Sequence, residues 1–343
     1  MLETVLQQYH LGGQFTITPF GTGLINHTWK ICGNKQDYIL QRINASVFKH
    51  PEDIAQNLNL IDAHFQQFHP SYFFVGPVTA INGKQIIKTK DGIFRMFPFV
   101  KGSHAKSVVE TPEQAYEAAV QFGRFTKLLA GIDIKQIKIT LPDFHNLTFR
   151  YQQFLDALKT GNVMRIAESK EQIDYVTQHS SIVDIYEQIK INPDFRTRVM
   201  HHDTKISNIL FNENDKGICV IDLDTVMPGY FISDVGDMMR TYLSAVSEEE
   251  SDFSKIEIRD DFYKAIVNGY RSEMKGELTR TENQYFFYAG KFMIYMQALR
   301  FLTDYINDDI YYGSKYKGHN LIRAKNQLTL LQRLLEKEQT LNK

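Results

Sequence analysis

The sequence predicts an α+β fold in two parts, a small antiparallel sheet followed by a mainly helical region. Strand-like apolar runs, separated by Gly and Asn turns, occupy the first hundred residues. After Lys101–Gly102 the pattern changes to long segments with apolar residues at helical spacing. We therefore predict an N-terminal domain over 1–100 and a helical C-terminal domain over 101–343.

The predicted N-terminal domain begins with a short amphipathic helix and continues as strands and turns. Apolar residues recur at helical spacing over Leu2–Tyr9. Pro51 opens a second predicted helix, over Glu52–Phe68, because Pro is tolerated at the first helical position. Strands of one antiparallel sheet are predicted at Phe15–Phe20, His27–Cys32, Tyr38–Ile43, Gln85–Thr89 and Ile93–Phe99.

The predicted C-terminal domain consists mainly of helices. Thr111 and Pro112 provide an N-cap and a first turn for the first of them. Helices are predicted at Thr111–Leu129, Leu147–Leu158, Lys170–Ile189, Asp260–Lys275, Glu282–Tyr305 and Leu321–Leu341. The acidic run Glu248–Asp252 indicates a solvated turn between helices.

Composition and charge are typical of a globular protein. The hydrophobic content of 43% is ample for a core, and a formal net charge of -1 favours neither nucleic acid nor an acidic membrane surface as a partner. Cys32 and Cys219 lack the spacing of a disulfide framework or a metal site. The N-terminal segment has no secretory signal pattern, and no apolar run approaches the roughly 20 residues of a membrane helix. We expect a cytoplasmic protein.

The segment His201–Asp224 carries the most informative chemistry of the chain. The carboxylate of Asp203 precedes the amide of Asn208 by five residues, and the apolar run Ile209–Phe211 predicts a strand that leaves this loop. Single Asp and Asn residues are common in turns. The combination of this loop with the carboxylates that follow is what indicates an active site.

Those carboxylates end the second strand of a predicted hairpin. A turn at Asn212–Gly217 precedes a strand over Ile218–Leu223, which ends on Asp222 and Asp224. If the chain stays extended there, these two carboxylates face the same side, because strand side chains alternate. The segment thus offers a base and a set of metal ligands.

This residue set suits phosphoryl transfer from a nucleotide. The reaction needs charge neutralisation by Mg²⁺, an in-line acceptor hydroxyl and a carboxylate that receives the proton of that hydroxyl. We predict Asp203 as the base, with Asn208 and Asp222 binding Mg²⁺ through the hard oxygen atoms that this ion prefers. Asp224 is predicted to bind a second ion or to position the first, and capping a turn is its alternative role.

Two adjacent histidines precede the predicted base. Neighbouring strand residues point to opposite faces and the chain has no H-E-x-x-H pattern, so a transition-metal site is not predicted. His201 is predicted to be a buried hydrogen-bonding brace of the loop, and no role is predicted for His202.

The motifs of this segment resemble those of a known kinase superfamily. H-x-D-x-x-x-x-N followed by I-D is similar to the catalytic loop and metal motif of the aminoglycoside phosphotransferase and choline kinase superfamily, which is related to protein kinases. The longer patterns H-x-D-T-K-x-x-N and V-I-D-L-D-T-V-M-P-G resemble the N-acetylhexosamine 1-kinase branch. Further matches begin at Asp234 (D-x-G-D-x-x-R), Arg300 (R-F-L-T-D-Y) and Lys315 (K-x-x-G-H-N-L-x-R), so the likeness covers most of the chain.

The resemblance implies a two-lobed protein-kinase-like fold, with a small antiparallel N-terminal lobe and a mainly helical C-terminal lobe. It also implies ATP as co-substrate and a sugar hydroxyl as acceptor, the anomeric hydroxyl of an N-acetylhexosamine in particular. One alternative keeps the fold and makes the acceptor choline, another amino alcohol or an aminoglycoside, since aromatic and acidic residues suit cationic acceptors. The other alternative is a nucleotide-binding pseudokinase scaffold, which would not require a base.

Phosphate contacts are predicted in the N-terminal lobe. Gly21 and Gly23 lie in a turn between two predicted strands, where backbone N–H groups can approach phosphate oxygens, although hairpins also need glycine for backbone reasons alone. Arg42 resembles the arginine that choline kinase-like relatives have where protein kinases have a lysine, and a guanidinium can grip phosphate bidentately. The usual glutamate partner is missing from the centre of the next helix, where Asn57 lies, while Glu52 is near the helix start.

The segment Phe97–Gly102 is predicted to be the hinge of the two lobes. Phe99 and Val100 would meet the adenine base there. An apolar strand followed by glycine also describes a plain core strand, so this alternative stays open.

Acceptor contacts are predicted mainly near the end of a C-terminal helix. The resemblance assigns sugar binding to this segment, and an arginine and an aspartate four residues apart could equally form a surface ion pair. The candidate acceptor residues are Arg300, Asp304, Tyr311 and Tyr312, together with His27 and Arg240. Asp237, in the D-x-G-D motif, is predicted to brace the catalytic loop rather than to touch substrate.

Overall fold

The computed structural model describes residues 2–11, 13–21 and 25–342, which form two compact units. Unit 1 consists of Met1–Ala105, Leu128–Pro142 and Asn208–Pro228, and unit 2 of Lys106–Lys127, Asp143–Ser207 and Gly229–Lys343. Unit 1 therefore contains the predicted N-terminal domain and two later segments, one of which carries the predicted metal ligands.

The structure contains both strands and helices. The strands are β1 (Phe15–Pro19), β2 (His27–Gly33), β3 (Tyr38–Ile43), β4 (Ile87–Thr89), β5 (Gly92–Pro98), β6 (Arg198–Met200), β7 (Ile209–Phe211), β8 (Gly217–Val220) and β9 (Met227–Gly229). The α-helices are α1 (Leu2–Leu6), α2 (Pro51–Phe68), α3 (Pro112–Leu128), α4 (Leu147–Thr160), α5 (Val163–Glu168), α6 (Lys170–Gln178), α7 (Ser181–Ile191), α8 (Phe231–Tyr242), α9 (Asp260–Met274), α10 (Phe286–Ile306), α11 (His319–Glu336) and α12 (Glu338–Leu341). The predicted α+β class is confirmed.

Unit 1 is built on a five-stranded antiparallel sheet of order β1-β2-β3-β5-β4. Trp29, Leu40 and Met96 are opposite one another in the register and point to one face, which packs against α1 and is called the α1 face. Thr28, Gln41 and Arg95 are likewise in register and point to the other face, called the Arg95 face. The alternation of the strands therefore assigns every side chain of the sheet to one of these two faces.

A short hairpin in unit 1 carries the predicted metal motif. β7 and β8 form the hairpin that the sequence predicted, and their antiparallel register places Ile209 opposite Val220. The backbone of His104 exchanges two hydrogen bonds with Phe211, at 2.9 and 2.8 Å, which fixes the hairpin to the segment after β5. The expectation of an extended chain through Leu223 is wrong. β8 ends at Val220, and Asp222 has φ 59 and ψ 59, in the left-handed region.

Unit 2 is organised around α10, whose side chains are buried along nearly its whole length. It packs against α8, α11 and α4. A glycine permits the crossing with α8, since a Cβ at Gly236 would lie 2.4 Å from the carbonyl oxygen of Ala289. Within the described part of the chain, no helix is both long enough and apolar enough to span a membrane.

Three helices of the predicted C-terminal domain differ by more than two residues from their predicted bounds. The single helix predicted over Lys170–Ile189 is two helices, α6 and α7, and the His179 ring contacts the Tyr175 carbonyl at 2.8 Å where the first of them ends. The last predicted helix ends at Glu336, and α12 follows it. α10 begins at Phe286, after a 3₁₀ turn over Glu282–Gln284.

Candidate active site

The loop after β6 is held by the carboxylate of Asp234 at the start of α8. Asp234 is fully buried, and its two oxygens accept the backbone N–H groups of His201 at 3.0 Å and His202 at 2.8 Å. His202 has φ 65, a left-handed conformation that costs energy for a residue other than glycine. The two hydrogen bonds offset this cost and fix the chain immediately before Asp203.

A second carboxylate, Asp237, holds the chain immediately after Asp203. One Asp237 oxygen accepts the backbone N–H of Thr204 at 2.8 Å. The Thr204 hydroxyl donates to the Asp234 carbonyl at 2.7 Å, and the Tyr242 hydroxyl donates to the Thr204 carbonyl at 2.5 Å. The contacts of Asp237 are those of the loop brace that the D-x-G-D motif predicted.

His201 is a buried packing element of the same loop. Its side chain is inaccessible to solvent, and the ring meets Phe122 edge to face at a centroid distance of 5.1 Å. The Asp203 backbone N–H donates to His201 Nδ1 at 3.3 Å. These contacts fit the brace predicted for this histidine.

Asp203 itself remains partly accessible on this rigid loop. Its side chain is 22% exposed, and Lys205 Nζ lies 2.9 Å from Oδ1. Burial alone would lower the pKa of Lys205, but the carboxylates of Asp203 and Asp237 outweigh burial and raise that pKa above its usual value. Lys205 therefore remains a cation beside the predicted base.

In unit 1, the β7–β8 hairpin brings the backbone around two predicted metal ligands together. The Ile221 N–H donates to the carbonyl of Asn208 at 2.8 Å, so Asn208 and Asp222 flank the same end of the hairpin. The left-handed conformation of Asp222 turns the chain into a 3₁₀ turn over Leu223–Thr225. The regular alternation that was expected to place Asp222 and Asp224 on one side is thereby lost.

Asp224 is buried and already has two polar partners within unit 1. Its Oδ1 forms an ion pair with Nη1 of Arg95, and its Oδ2 accepts the Asn26 side-chain amide at 2.9 Å. Asn26 in turn accepts the backbone N–H of Asn44 at 3.0 Å. These contacts link the turn after β1, the end of β3 and the metal motif through one carboxylate.

The oxygen donors of Asn208 and Asp222 suit Mg²⁺. Among the described residues, no three His, Cys, Asp or Glu side chains form a cluster that could hold a metal ion. Mg²⁺ does not require one, because it commonly takes one or two protein oxygens and completes its octahedron with water and substrate phosphates. One amide and one carboxylate at the end of a hairpin fit that mode of binding.

Of the residues predicted to bind phosphate in unit 1, Gly21 lies just after β1 and Arg42 lies within β3. Gly21 has φ 76, a conformation that favours glycine, and Gly23 lies outside the described residues. Arg42 is opposite His27 and Phe94 in the sheet register and therefore points to the α1 face. Arg42 and His27 line a cavity of about 250 Å³ together with Asp91.

The predicted hinge residues are half-buried. The Phe99 ring meets Phe20 edge to face at 6.0 Å, and Lys30 Nζ lies 3.8 Å from the centre of the Phe99 ring. The Val100 carbonyl accepts the Ser103 hydroxyl at 2.7 Å. A cavity of about 400 Å³ in unit 1 is lined by Phe99 and Val100. Adenine binding by these two residues stays a prediction.

In unit 2, the predicted acceptor residues form one connected group. Asp304 is buried and accepts the backbone N–H groups of Tyr311 at 2.7 Å and Tyr312 at 2.9 Å, so this carboxylate shapes the loop after α10. Burial raises the pKa of Asp304, against the effect of those two backbone donors. The Arg300 guanidinium lies 5.4 Å from the Tyr312 ring and 5.5 Å from the Phe144 ring.

Arg240 belongs to a buried ionic network of unit 2. Its guanidinium donates to Asp237 Oδ1 at 2.9 Å and to Glu248 at 2.8 Å, and Glu248 also pairs with Arg323. The predicted solvated turn over Glu248–Asp252 is exposed at Glu249, Ser251 and Asp252, whereas Glu248 is 29% exposed and is held by these two arginines. Although burial raises the pKa of Glu248, Arg240 and Arg323 together lower it below its usual value.

The comparison with known proteins decides the family. Residues 16–276 match the model of the phosphotransferase enzyme family, which corresponds to most of the chain. The chain belongs to this family. The phosphotransferase is thus of the aminoglycoside phosphotransferase type, whose kinases act on hydroxyl groups of small molecules.

Solved structures of low sequence identity share the fold of the phosphotransferase. An aminopropanol kinase associated with a microcompartment is 17% identical, with a TM-score of 0.65 and coverage of 98% of this chain and 97% of that one. An aminoglycoside phosphotransferase from Alicyclobacillus acidocaldarius is 13% identical, with a TM-score of 0.63 and coverage of 98% and 96%. A spectinomycin phosphotransferase in complex with ADP and spectinomycin is 14% identical, with a TM-score of 0.60 and coverage of 98% and 97%. They confirm the predicted protein-kinase-like fold class.

Sequence reasoning missed His145 of the phosphotransferase, which follows no motif. Its ring stacks on Phe144 at 4.4 Å and lies 5.3 Å from the ring of His202. Burial lowers the pKa of His145 well below its usual value, and His202 and the nearby arginines, among them Arg300 and Arg240, lower it further. The lowered pKa of His145 therefore indicates several cations around this ring, which lies next to the loop of His202.

Proposed function

We propose that the phosphotransferase uses ATP and Mg²⁺ to phosphorylate a hydroxyl of an uncharged sugar, with the anomeric hydroxyl of an N-acetylhexosamine as the first candidate. The observation that carries the proposal is the loop of Asp203. The buried carboxylates of Asp234 and Asp237 hold the backbone before and after this residue, while the Asp203 carboxylate itself stays accessible. A scaffold that only binds nucleotide would not need a positioned base.

Each unit has a distinct task in this proposal. In unit 1, Asn208 and Asp222 hold the metal, which neutralises phosphate charge when bound. In unit 2, Asp203 accepts the proton of the attacking hydroxyl, while its fixed backbone keeps the carboxylate in place. Lys205, a cation 2.9 Å from Asp203, orients that carboxylate.

The charge of unit 2 supports an uncharged acceptor. Arg150, Arg240 and Arg300 all act on the pKa of His145, so several cations lie close to the loop of Asp203. Asp237 and Glu248 neutralise Arg240, so Arg300 is the cation that would disfavour a cationic acceptor. Arginine and tyrosine side chains can donate hydrogen bonds to sugar hydroxyl and amide oxygens. We assign the acceptor contacts to Arg300, Tyr311 and Tyr312, with Asp304 as the residue that positions the two tyrosines.

An amino alcohol is the second candidate acceptor. The rings of Tyr311 and Tyr312 lie 4.8 Å apart and nearly perpendicular, an arrangement in which a cation could contact an aromatic face. The two candidates differ in charge, and a single panel of acceptors separates them.

The function is tested by measuring ADP release with each acceptor of such a panel. N-acetylhexosamines, unmodified hexoses, choline, ethanolamine, aminopropanol and an aminoglycoside are compared at equal concentration. The highest rate is expected with an N-acetylhexosamine that has a free anomeric hydroxyl, and no rate is expected when that hydroxyl is methylated. Preference for an amine would replace the first candidate by the second, and no turnover with any acceptor despite ATP binding would favour a scaffold.

The role of Asp203 is tested by Asp203→Asn. Turnover should fall by about 10²–10⁴-fold, the usual contribution of a general base. ADP affinity, measured by calorimetry, should change little, because Asn has the same shape and Asp203 belongs to unit 2. Lys205→Met is the comparison and should cost less than Asp203→Asn. Near-normal turnover of the Asp203 variant would refute the assignment.

A further inference from the structure

The two arginines of the unit 1 sheet point to opposite faces. Arg42 is in register with Phe94 on the α1 face, and its side chain packs over Gly92, where a Cβ would lie 2.9 Å from Arg42 Cδ. Arg95 is in register with Gln41 on the other face and pairs with Asp224. Of the two, Arg95 therefore shares a face with the metal motif.

The residues in the positions of the usual kinase ion pair are uncharged. Protein kinases pair a lysine of the third strand with a glutamate of the following helix, and this pair orders the nucleotide phosphates. The third strand presents Gln41 on the Arg95 face, and Asn57 lies at the centre of α2. Asn57 bonds only neutral backbone groups in the described structure, among them the carbonyl of Val226 at 3.0 Å and the N–H of Lys138 at 2.7 Å.

Arg95 and Asp224 supply a buried ion pair on this same face. Arg95 Nε and Nη2 both donate to Oε1 of the Gln41 side chain, at 3.0 and 2.9 Å, which orients the guanidinium plane. Nη1 pairs with Asp224, two residues beyond the metal ligand Asp222. Lys30 shares the face, but its ammonium pairs with Asp37 at 3.4 Å and lies over the Phe99 ring.

A guanidinium has five N–H donors, and two of those of Arg95 donate to Gln41. Nη1 faces Asp224 in the ion pair but is buried without a hydrogen-bond partner in the described structure. The pair is nearly inaccessible to solvent, with both side chains 4% exposed, so its charges act through a low dielectric. Phosphates that share a metal with Asp222 must come within a few ångströms of that residue. Arg95 is the guanidinium of the sheet that is tied to the same turn.

We propose that Arg95, and not Arg42, is the residue of the sheet that binds the nucleotide phosphates, with Gln41 and Asp224 as its positioning residues. In this proposal the side chain that binds the phosphates lies on β5 and not on the third strand as in protein kinases. Its acidic partner belongs to the metal motif and not to the helix that follows the third strand. The proposal depends on the proposed function only in that a nucleoside phosphate binds to unit 1. It does not depend on the identity of the acceptor.

The test compares two probes that differ only in their phosphates. ADP with Mg²⁺ and adenosine are titrated by calorimetry into the wild type and into Arg95→Met, Arg95→Lys and Arg42→Met. Arg95→Met should weaken ADP by about 10- to 100-fold, the range of a charge-assisted hydrogen bond, and adenosine by less than about twofold. Arg95→Lys should lose part of the ADP affinity, because an ammonium cannot replace a bidentate fork.

Lys88→Met provides a matched cation-to-methionine control. Lys88 is on β4 of the same sheet, 62% exposed, and pairs with Glu52. ADP affinity should not change in this variant. If Arg95→Met does not fold, Arg95→Lys decides alone through its ratio of ADP to adenosine affinity.

Three results would overturn the proposal. One is an equal loss of ADP and adenosine in the Arg95 variants, which would indicate a purely structural role. Another is wild-type ADP affinity in Arg95→Lys and Arg95→Met. The third is a larger ADP loss in Arg42→Met than in Arg95→Met. Any of these can occur while Asp203→Asn still lowers turnover as predicted, so failure of this proposal and failure of the proposed function are distinguishable.

Discussion

Asp234 has the most unusual electrostatic environment of the residues that hold the catalytic loop. Burial raises its pKa to about 7, against two backbone N–H donors that lower it, and Asp237 and Asp203 raise it further. An unfolded aspartate has a pKa of about 3.9. The native state therefore holds a proton at Asp234 over a pH range in which the unfolded chain has released it.

This difference predicts how the stability depends on pH. The stability that Asp234 contributes is full below pH of about 4 and is lost as the pH rises through about 7, with a slope of at most ~1.4 kcal/mol per pH unit. The asparagine of Asp234→Asn does not titrate. The free energy of unfolding of the wild type should therefore fall relative to that of this variant between pH 5 and pH 7, and the difference should change little above pH 8. Urea unfolding of both proteins at pH 5, 6, 7 and 8 measures the difference, and a difference that is constant with pH would contradict the prediction.

At the scale of single residues, the sequence indicated which residues belong to motifs better than it indicated which residues contact each other. Asp203, Asn208 and Asp222 were predicted as site residues from their spacing and stay a prediction, whereas the loop contact of Asp237 was indicated by the D-x-G-D motif. The contacts of Glu248 were not predicted, since its partners Arg240 and Arg323 are 8 and 75 residues away in the chain. Such long-range pairs leave no local pattern.

Among the structural elements, the crossing of α8 and α10 positions the brace of the catalytic loop. α8 carries Asp234 and Asp237, and Gly236 between them lets the backbone of α10 approach. A Cβ at this position would lie 2.4 Å from the Ala289 carbonyl oxygen and 2.8 Å from Met293 Cβ. Backbone atoms of a packed helix cannot easily move away from such a contact.

Gly236→Ala should therefore destabilise the protein despite the higher helix propensity of alanine. Overpacking of this kind costs about 1–3 kcal/mol, more than the roughly 1 kcal/mol gained from replacing a helical glycine. Gly123→Ala in α3 is the matched control, because its nearest contact would be 3.2 Å, and it should cost less. Urea unfolding provides the measurement. Equal free energies of unfolding for the two variants would show that the crossing has room for a methyl group.

Elements were predictable where local signals agree with packing. Pro51 marked the start of α2, and β3 has the predicted bounds Tyr38–Ile43, because turn and apolar signals coincide there. The end of β8 was not predictable, since the left-handed conformation of Asp222 follows from tertiary contacts rather than from its sequence. The side of the sheet to which Arg42 points was not predictable either. A strand pattern shows that side chains alternate, but it does not show which side of the sheet contacts the metal motif.

At the scale of the whole molecule, the proposed chemistry divides between two compact units. Unit 1 contains Asn208, Asp222 and Arg95, and unit 2 contains Asp203 and the proposed acceptor residues. Only four residues of chain lie between Asp203 and Asn208. Substitutions in the two units should therefore have separable effects, on nucleotide binding for unit 1 and on the chemical step for unit 2.

Asp222→Asn tests this division. Asparagine tolerates the left-handed conformation of Asp222, so the turn should survive while one negative charge at the metal site is lost. The ratio of the ADP affinity measured with Mg²⁺ to that measured with EDTA should fall by about tenfold or more, because Mg²⁺ prefers carboxylate oxygen. The ADP affinity measured with EDTA should change little. Asp203→Asn should keep the full effect of Mg²⁺ on ADP binding. An undiminished Mg²⁺ effect in Asp222→Asn, or its loss in Asp203→Asn, would contradict this division because the metal would then depend on unit 2.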